Sequence, residues 1–523
     1  MPVTVPGTSA GTPVTVSSGS GDTLGLASQI GAALTSLQDS NNLLVQDDTG
    51  GTIPAAPTTG GGTQTEIILD SQGGINASIP GGWNYVVDTS TAPSTLSGAN
   101  TTIISGDAGG SFTVSGTSTV AASGGNNTIT ASGNYEVSAG SGNDVFFATG
   151  TGTVAGGGGS NTVVASNGNL VLSSGSNDLI VSGSGNNTIM ASGSQAGILG
   201  GDGTLTASIS GSQATVSAGN SSINVTTGGS SGVVFGGIGS SAGSMSVTDT
   251  GSNDTIATFD SSGSVNAQGD SALIAGGSGS LTLTVGGSNN TVLGGTGSET
   301  VTASGNALVF GGTGPLQFVG GAGTATVVGT TGGNEQVTVG GGGIVFSAGS
   351  DNNSTITSGA GTATLFGGSG SVVNFVGNQA GALMLAASGN ETLNASGSST
   401  SNLMAGGTNA SNAVLMIGGS GADTLLAGAG TDTMTGGAGN NIFAFFEGAT
   451  GGHHDFITDF NANDSVYLIG YDQSQSASSL EKNASVGAGG VTLTLSDSTQ
   501  ITFSNLSSTS ALDGHILYGP KSA

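Results

Sequence analysis

Three consecutive nonamers govern the fold of this chain: Gly418-Gly-Ser-Gly-Ala-Asp-Thr-Leu-Leu426, Ala427-Gly-Ala-Gly-Thr-Asp-Thr-Met-Thr435 and Gly436-Gly-Ala-Gly-Asn-Asn-Ile-Phe-Ala444. Each sets glycine at its second and fourth places, a polar residue at its sixth (Asp423, Asp432, Asn441) and an apolar one at its eighth (Leu425, Met434, Phe443). Toward the amino terminus the same sixth-place residue, standing before a β-prone pair, recurs at Asn127, Asp144, Asn161, Asp178 and Asn187, at intervals of 17, 17, 17 and 9 residues. It returns at Asp254, Asn290, Glu299 and Glu335, spaced 36, 9 and 36. A second marker, a strand ending before a small-residue turn, falls at Ala275, Leu293, Phe310, Phe346 and Phe366. Both point to a nine-residue half-unit and a coil of about 17–18 residues.

Such a coil cannot bury its own apolar strip and gains stability only by stacking on its neighbours. The predicted fold class is therefore all-β: a β-solenoid (β-helix or β-roll), with on the order of 19 coils between 101 and 444 stacked at ~4.8 Å. A short N-terminal helix and a C-terminal β cap flank it. Glycine pairs such as Gly236-Gly237 and Gly311-Gly312 read as corners with φ > 0, where a Cβ would obstruct the turn.

Composition closes off other classes. Glycine supplies 103 of 523 residues, charged residues only 6%, and Lys482 and Lys521 stand alone against 30 acidic residues, with no arginine. A net charge of −28 cannot neutralise a row of phosphates, so no nucleic-acid partner is expected, nor attraction to an anionic membrane surface. No run approaches 18 apolar residues, so no membrane insertion as a helix is expected. Glycine lacks the strict three-residue period of collagen. The 35% of apolar residues come in Val/Ile/Leu/Phe clusters, which is strand material and not a disordered chain. Without cysteine there are no disulfides and no thiolate metal sites. The start, Met1-Pro-Val-Thr-Val-Pro6, has neither the basic nor the apolar region of a cleavable signal peptide. The expectation is a cytosolic protein or one exported without such a signal.

The first nonamer fits G-G-x-G-x-D-x-U-x at every defined position; the next two depart from it at Ala427 and Asn441. This resembles the RTX (hemolysin-type) calcium-binding repeat family, β-rolls exported by type I secretion. The resemblance implies Ca2+ between turns of successive coils, held by aspartates and turn carbonyls, the hard oxygen set that this ion takes. Carried over residue by residue, the implied metal residues are Gly419, Gly421, Asp423, Gly428, Gly430, Asp432, Gly437, Gly439 and Asn441, with Asp455 added. Asp423 is expected one coil from Asn441. Asp432 falls on the opposite edge, where its next-coil place comes near Thr450 and Asp455 is close in sequence. Asn127, Asn161, Asn187 and Asn290 depart from the family's pattern: they keep a carbonyl oxygen but lose the charge. Those coils are expected to be held by stacked amides without metal, with Asp144, Asp178 and Asp254 as lesser calcium candidates.

Residues 1–62 read as an N-terminal segment with a linker and a helix over about 22–46, whose Leu26, Ile30, Leu34 and Leu37 share one face. That helix is expected to cover the open end of the solenoid, the alternatives being an anchor or an oligomer contact. Residues 63–100, with the single Trp83, are irregular first coils or a small module. Residues 101–417 form the degenerate solenoid and 418–444 the nonapeptides. The remainder, 445–523, is a β cap with a hairpin flanking Asp497 and, by the resemblance, a type I secretion signal.

No enzyme is expected. The paired histidines His453 and His454 lack the H-E-x-x-H pattern of a zinc protease, and Gly228-Gly-Ser-Ser-Gly232 has no credible histidine partner. The two histidines are either exposed loop residues or neighbours of a metal. Thr-x-Thr segments such as Thr204–Thr206, Thr282–Thr284 and Thr324–Thr326 are scattered, against the fixed rows of an ice-binding solenoid. The expected function is a secreted, extracellular or cell-surface calcium-binding structural protein that self-assembles as a surface layer, filament or biofilm matrix. Its partners would be itself, cell-surface polysaccharide and the type I secretion machinery. The alternative is a calcium-dependent adhesin.

Overall fold

In the computed structural model of this protein, residues 3–6, 14–16, 22–48, 50–448, 452–472 and 475–520 are described. Strands make up 48% of the chain and helix 5%, and the strands build a β-solenoid of about 22 turns. The chain divides into two compact units, residues 1–265 and 266–523. Among the described residues no helix is long and apolar enough to cross a membrane.

Each full coil sends one strand to each of two parallel sheets. Alternate side chains point inward, so a single inward row runs the length of each sheet. In the first unit one row is Phe112, Ile129, Phe146, Val163 and Ile180, each in register with the next. Facing it are Val120, Val137, Val154, Leu172 and Ile189. All ten are buried, worth roughly 1.5–3 kcal/mol each for a large apolar side chain. The second unit repeats the plan, with Val301, Phe318, Val337, Ile356 and Phe375 in one sheet. Its other sheet stacks Val327, Phe346, Leu365 and Met384.

Coils of 17 and 18 residues, as expected, occur in runs, and longer ones interrupt them. Asp144 meets Asn161 at a separation of 17, Ser222 meets Ser244 at 22, and Asp432 meets Asp455 at 23. The extra residues enter the turns, so the strand register survives. One marker of the expected series faces the other way. Leu293, Phe310 and Phe366 lie on the outer face of their sheet, but Phe346 is wholly inside and Ser347 takes the outward place. A one-residue slip in a strand exchanges its two faces. The Gly236-Gly237 and Gly311-Gly312 pairs are not left-handed corners, since none of the four has positive φ. A Cβ on Gly312 would lie 1.7 Å from the Gly295 carbonyl oxygen of the preceding coil, so close backbone approach is what requires glycine there.

Helix α1 (Asp22–Asp39) ends seven residues before the predicted boundary. Asn41 takes φ 53°, and Leu43–Asp48 is a strand paired in parallel with Gln64–Leu69. The β-prone Leu43-Leu44-Val45 gains a ladder there that a longer helix would forfeit. The helix does not close the end of the stack. Its Leu26, Ala27, Ile30 and Leu34 pack on Ile68, Val87, Ile104 and Ala121, an outward apolar row on four successive strands. Residues 64–105 are regular coils in which Ile67, Val86 and Ile103 stack inside. Buried Trp83 donates from Nε1 to the Pro54 carbonyl at 2.9 Å, tying the 52–62 segment down.

At the carboxyl end of the second unit, Gly490–Thr494 and Gln500–Phe503 form the expected antiparallel hairpin. Asp497 in its turn accepts from the Tyr471 hydroxyl at 2.9 Å. Gln500–Phe503 then pairs in parallel with His454–Ile457, and Ile516–Gly519 with Ser465–Ile469, extending both sheets. A short helix, α2 (Ala477–Lys482), precedes the hairpin.

Candidate metal centre

The sixth-place residues stand at the entry of each strand, pointing into the turn, and they are buried. Along one edge of the second unit they form a ladder of Asn402, Asp423, Asn441 and Asp464. Backbone N–H groups donate to the next coil's side chain: Asn402 N to Asp423 Oδ1 at 2.7 Å, Asp423 N to Asn441 Oδ1 at 3.0 Å, Asn441 N to Asp464 Oδ1 at 2.9 Å. Asp423 and Asn441 are thus one coil apart, as expected. The second oxygen of Asp423 accepts from Gly419 N at 2.7 Å, closing its own turn.

The opposite edge carries Asp432 and Asp455. Val414 N donates to Asp432 Oδ1 at 3.1 Å, Gly428 N to Asp432 Oδ2 at 2.6 Å, and Asp432 N to Asp455 Oδ1 at 2.9 Å. Asp455 is therefore the next-coil partner of Asp432, in a coil widened to 23 residues. Its Oδ2 is buried and has no hydrogen-bond partner. Burial, and then the charge of Asp432, push the Asp455 carboxyl up to about 7. Burial also raises Asp432, against its backbone hydrogen bonds and the nearby His453. His454 is half-buried, stacks on Phe456 at 4.4 Å and hydrogen-bonds Thr502 Oγ1 at 2.7 Å.

The six glycines divide between the two edges. Gly437 and Gly439 take φ of 81° and 100°, and a Cβ on either would come within 2.2 Å of the Gly419 or Gly421 carbonyl oxygen. Gly428 and Gly430 approach the backbone of Gly406, Gly407 and Asn412 instead. Ten expected residues therefore form two sets: Gly419, Gly421, Asp423, Gly437, Gly439 and Asn441 on one edge, Gly428, Gly430, Asp432 and Asp455 on the other.

The degenerate coils use the same ladder. Asn127 N donates to Asp144 Oδ1, Asp144 N to Asn161 Oδ1, and Asn161 N to Asp178 Oδ1, at 2.7 to 3.0 Å. Leu170 N and Ala272 N donate likewise to Asn187 and Asn290. At these positions backbone-to-side-chain bonds take the place of the expected amide-to-amide stack; that stack does occur at Asn353, Asn374 and Asn394, where Asn374 Nδ2 donates to Asn353 Oδ1 at 3.1 Å and Asn394 Nδ2 to Asn374 Oδ1 at 2.8 Å. Asp254 accepts from Gly232 N, while its Oδ2 and that of Asp249 are buried without partners.

Three ladder residues escaped the sequence reading: Asn402, Asp464, and Asp459, which accepts from Gly436 N and Gly437 N at 2.8 and 2.7 Å. A signal for Asp464 existed. Asp455 and Asp464 are nine apart, so the nonapeptide spacing resumes after a five-residue insertion.

Among the described residues no three Asp, Glu or His side chains converge. A cation here would combine one or two carboxylates with turn carbonyls. The donors are all hard oxygens, and Asp455 Oδ2 is a buried acceptor lacking a partner, so the set fits calcium. A sequence model of the RTX calcium-binding nonapeptide repeat (4 copies) matches residues 155–189, 172–195 and 415–443. Those stretches include Asn161, Asp178 and Asn187 as well as the nonamers at 418–443. No curated protein and no solved structure gives a significant match.

Proposed function

From a β-solenoid that carries RTX calcium-binding nonapeptide repeats, we propose a secreted structural protein that self-assembles at the bacterial surface and is folded at its carboxyl end by calcium. The observation that carries this reading is the Asp432–Asp455 pair: two buried carboxylates on adjacent coils, in a chain with two lysines and no arginine. Such a pair needs a proton or an external cation. Calcium held by Asp423 and Asn441 on one edge, and by Asp432 and Asp455 on the other, would supply the missing positive charge. Ion binding then becomes folding free energy: where calcium is scarce the acidic coils stay open for export, and outside they close and template the stack. The protein on this reading is not an enzyme; a chain in which only 6% of residues are charged suits lateral packing, and cell-surface polysaccharide is its second partner.

The test is sedimentation velocity of calcium-stripped protein before and after millimolar calcium. Conversion of an expanded monomer into large regular assemblies is expected. A compact monomer under both conditions would overturn self-assembly and put a calcium-dependent adhesin in its place.

A further inference from the structure

We propose that the outer face of one sheet in the second unit, from Leu273–Ala275 to Ile442–Phe446, is the surface on which a second copy of this chain packs; this rests on the self-assembly reading and names its interface. The ten strands in that span present two outward positions each. Fifteen of the twenty positions are apolar, five are Thr or Ser, and none is charged. Leu293, Phe310, Val345, Phe366, Leu403 and Ile442 are 36–43% exposed.

The fold does not demand this. A solenoid needs apolar residues only inside, and the other sheet of the same unit shows the default. One outward row runs Thr282, Thr300, Gln317, Gln336, Thr355 and Asn374, and the other Thr284, Thr302, Val319, Thr338, Thr357 and Val376. Ten of those twelve outward positions carry a hydroxyl or an amide and two are valine, whereas fifteen of twenty on the opposite face are apolar.

Charge and size select the occupant. Two chains of −28 repel wherever their carboxylates face each other, and this face has none. An anionic bilayer would be repelled by the rest of the chain. Nine steps of ~4.8 Å and two side-chain rows give roughly 600 Å² per copy, hence about 1,200 Å² in a pair, the lower bound of a specific interface. A second copy also has the same coil pitch, so its side-chain ridges match the grooves along the whole face, with sheets ~10 Å apart.

The experiment compares the full chain in calcium with a Phe310→Thr/Phe366→Thr/Leu403→Thr variant, and with Thr300→Gln/Thr355→Gln on the opposite face. Threonine keeps strand propensity. The triple variant is expected to sediment as a monomer where the wild type associates, its dissociation constant raised at least 100-fold, while the opposite-face variant associates normally. The chain has no cysteine, so single substitutions give a readout that does not depend on the triple variant folding. Alkylation of Phe366→Cys should slow at least ten-fold on assembly, and that of Thr357→Cys should not change. A wild type that stays monomeric overturns both the self-assembly reading and this interface. Assembly that persists in the folded triple variant, or protection at Thr357→Cys and not at Phe366→Cys, overturns the interface alone.

Discussion

Glu66 lies on the outward side of its strand, two residues before Ile68 and between Val45 and Tyr85 in register, on the face that α1 covers. It is wholly buried, and neither carboxylate oxygen has a hydrogen-bond partner. Burial, with the charge of Asp47 adding to it, pushes its pKa from 4.5 to about 8. Because the folded value exceeds the unfolded one, its contribution to stability is complete below about pH 4.5. That contribution drains away as pH climbs toward 8. At about 1.4 kcal/mol per unit, the gap amounts to roughly 5 kcal/mol. Replacing Glu66 by Gln keeps the shape and removes the titration. Trp83, the single tryptophan, is buried two residues before Tyr85 and reports on these coils. Urea unfolding followed by its fluorescence, in chelator so that calcium plays no part, should give wild type and Glu66→Gln within about 1 kcal/mol of each other at pH 5. By pH 8.5 the variant should lead by about 3–5 kcal/mol. Parallel stability curves from pH 5 to 9 would refute the claim that this carboxyl is held neutral beneath the helix.

Asp455→Asn should abolish most of the calcium-induced rise in melting of the carboxyl-terminal coils, a gain of roughly 3 kcal/mol for one site at calcium a hundred-fold above its Kd; equal gains in calorimetric scans of both proteins would exclude Asp455 as a ligand. Gly439→Ala forces a Cβ to within 2.2 Å of the Gly421 carbonyl oxygen at a φ of 100°. It should cost about 2–4 kcal/mol in urea unfolding, and a loss below 1 kcal/mol would mean that the coils have room to separate there.

The series Asn127, Asp144, Asn161, Asp178 was legible because two constraints coincide on it. Its residues must recur once per coil, and each must accept a backbone N–H at the strand entry. Residues under only one constraint were harder to place. Phe346 and Phe366 are alike in composition and context, yet a turn of different length exchanges inside and outside between them. Asp464 was hidden by the insertion that widens its coil to 23 residues. The end of α1 depended on a partner strand at Gln64–Leu69, 21 positions from Leu43 in register. Helical periodicity within 22–46 carries no trace of that pairing.

The order of acids and amides along the ladders says where calcium matters. In the first unit Asn127–Asp144–Asn161–Asp178 alternates strictly, and in the second unit Asn402–Asp423–Asn441–Asp464 does the same, so neither series sets two carboxylates on adjacent coils. The amides also donate toward the acids: Asn127 Nδ2 to Asp144 Oδ1 and Asn402 Nδ2 to Asp423 Oδ1, both at 2.9 Å. Separation by two coils, ~10 Å, leaves each carboxylate a donor on at least one oxygen, although Asp144 Oδ2 is buried without a partner, and burial, then the charge of Asp178, raise the Asp144 carboxyl. Such a ladder places less charge on neighbouring coils than an acid-on-acid step does. Asp432 and Asp455 break the alternation, with one carboxylate directly over another and no amide between them. Burial there keeps both negative charges only if a cation joins them, and a divalent ion with oxygen ligands offsets two carboxylates at once. The alternating coils thus call for less counter-charge, while this acid-on-acid step calls for a proton or a cation in the last coils.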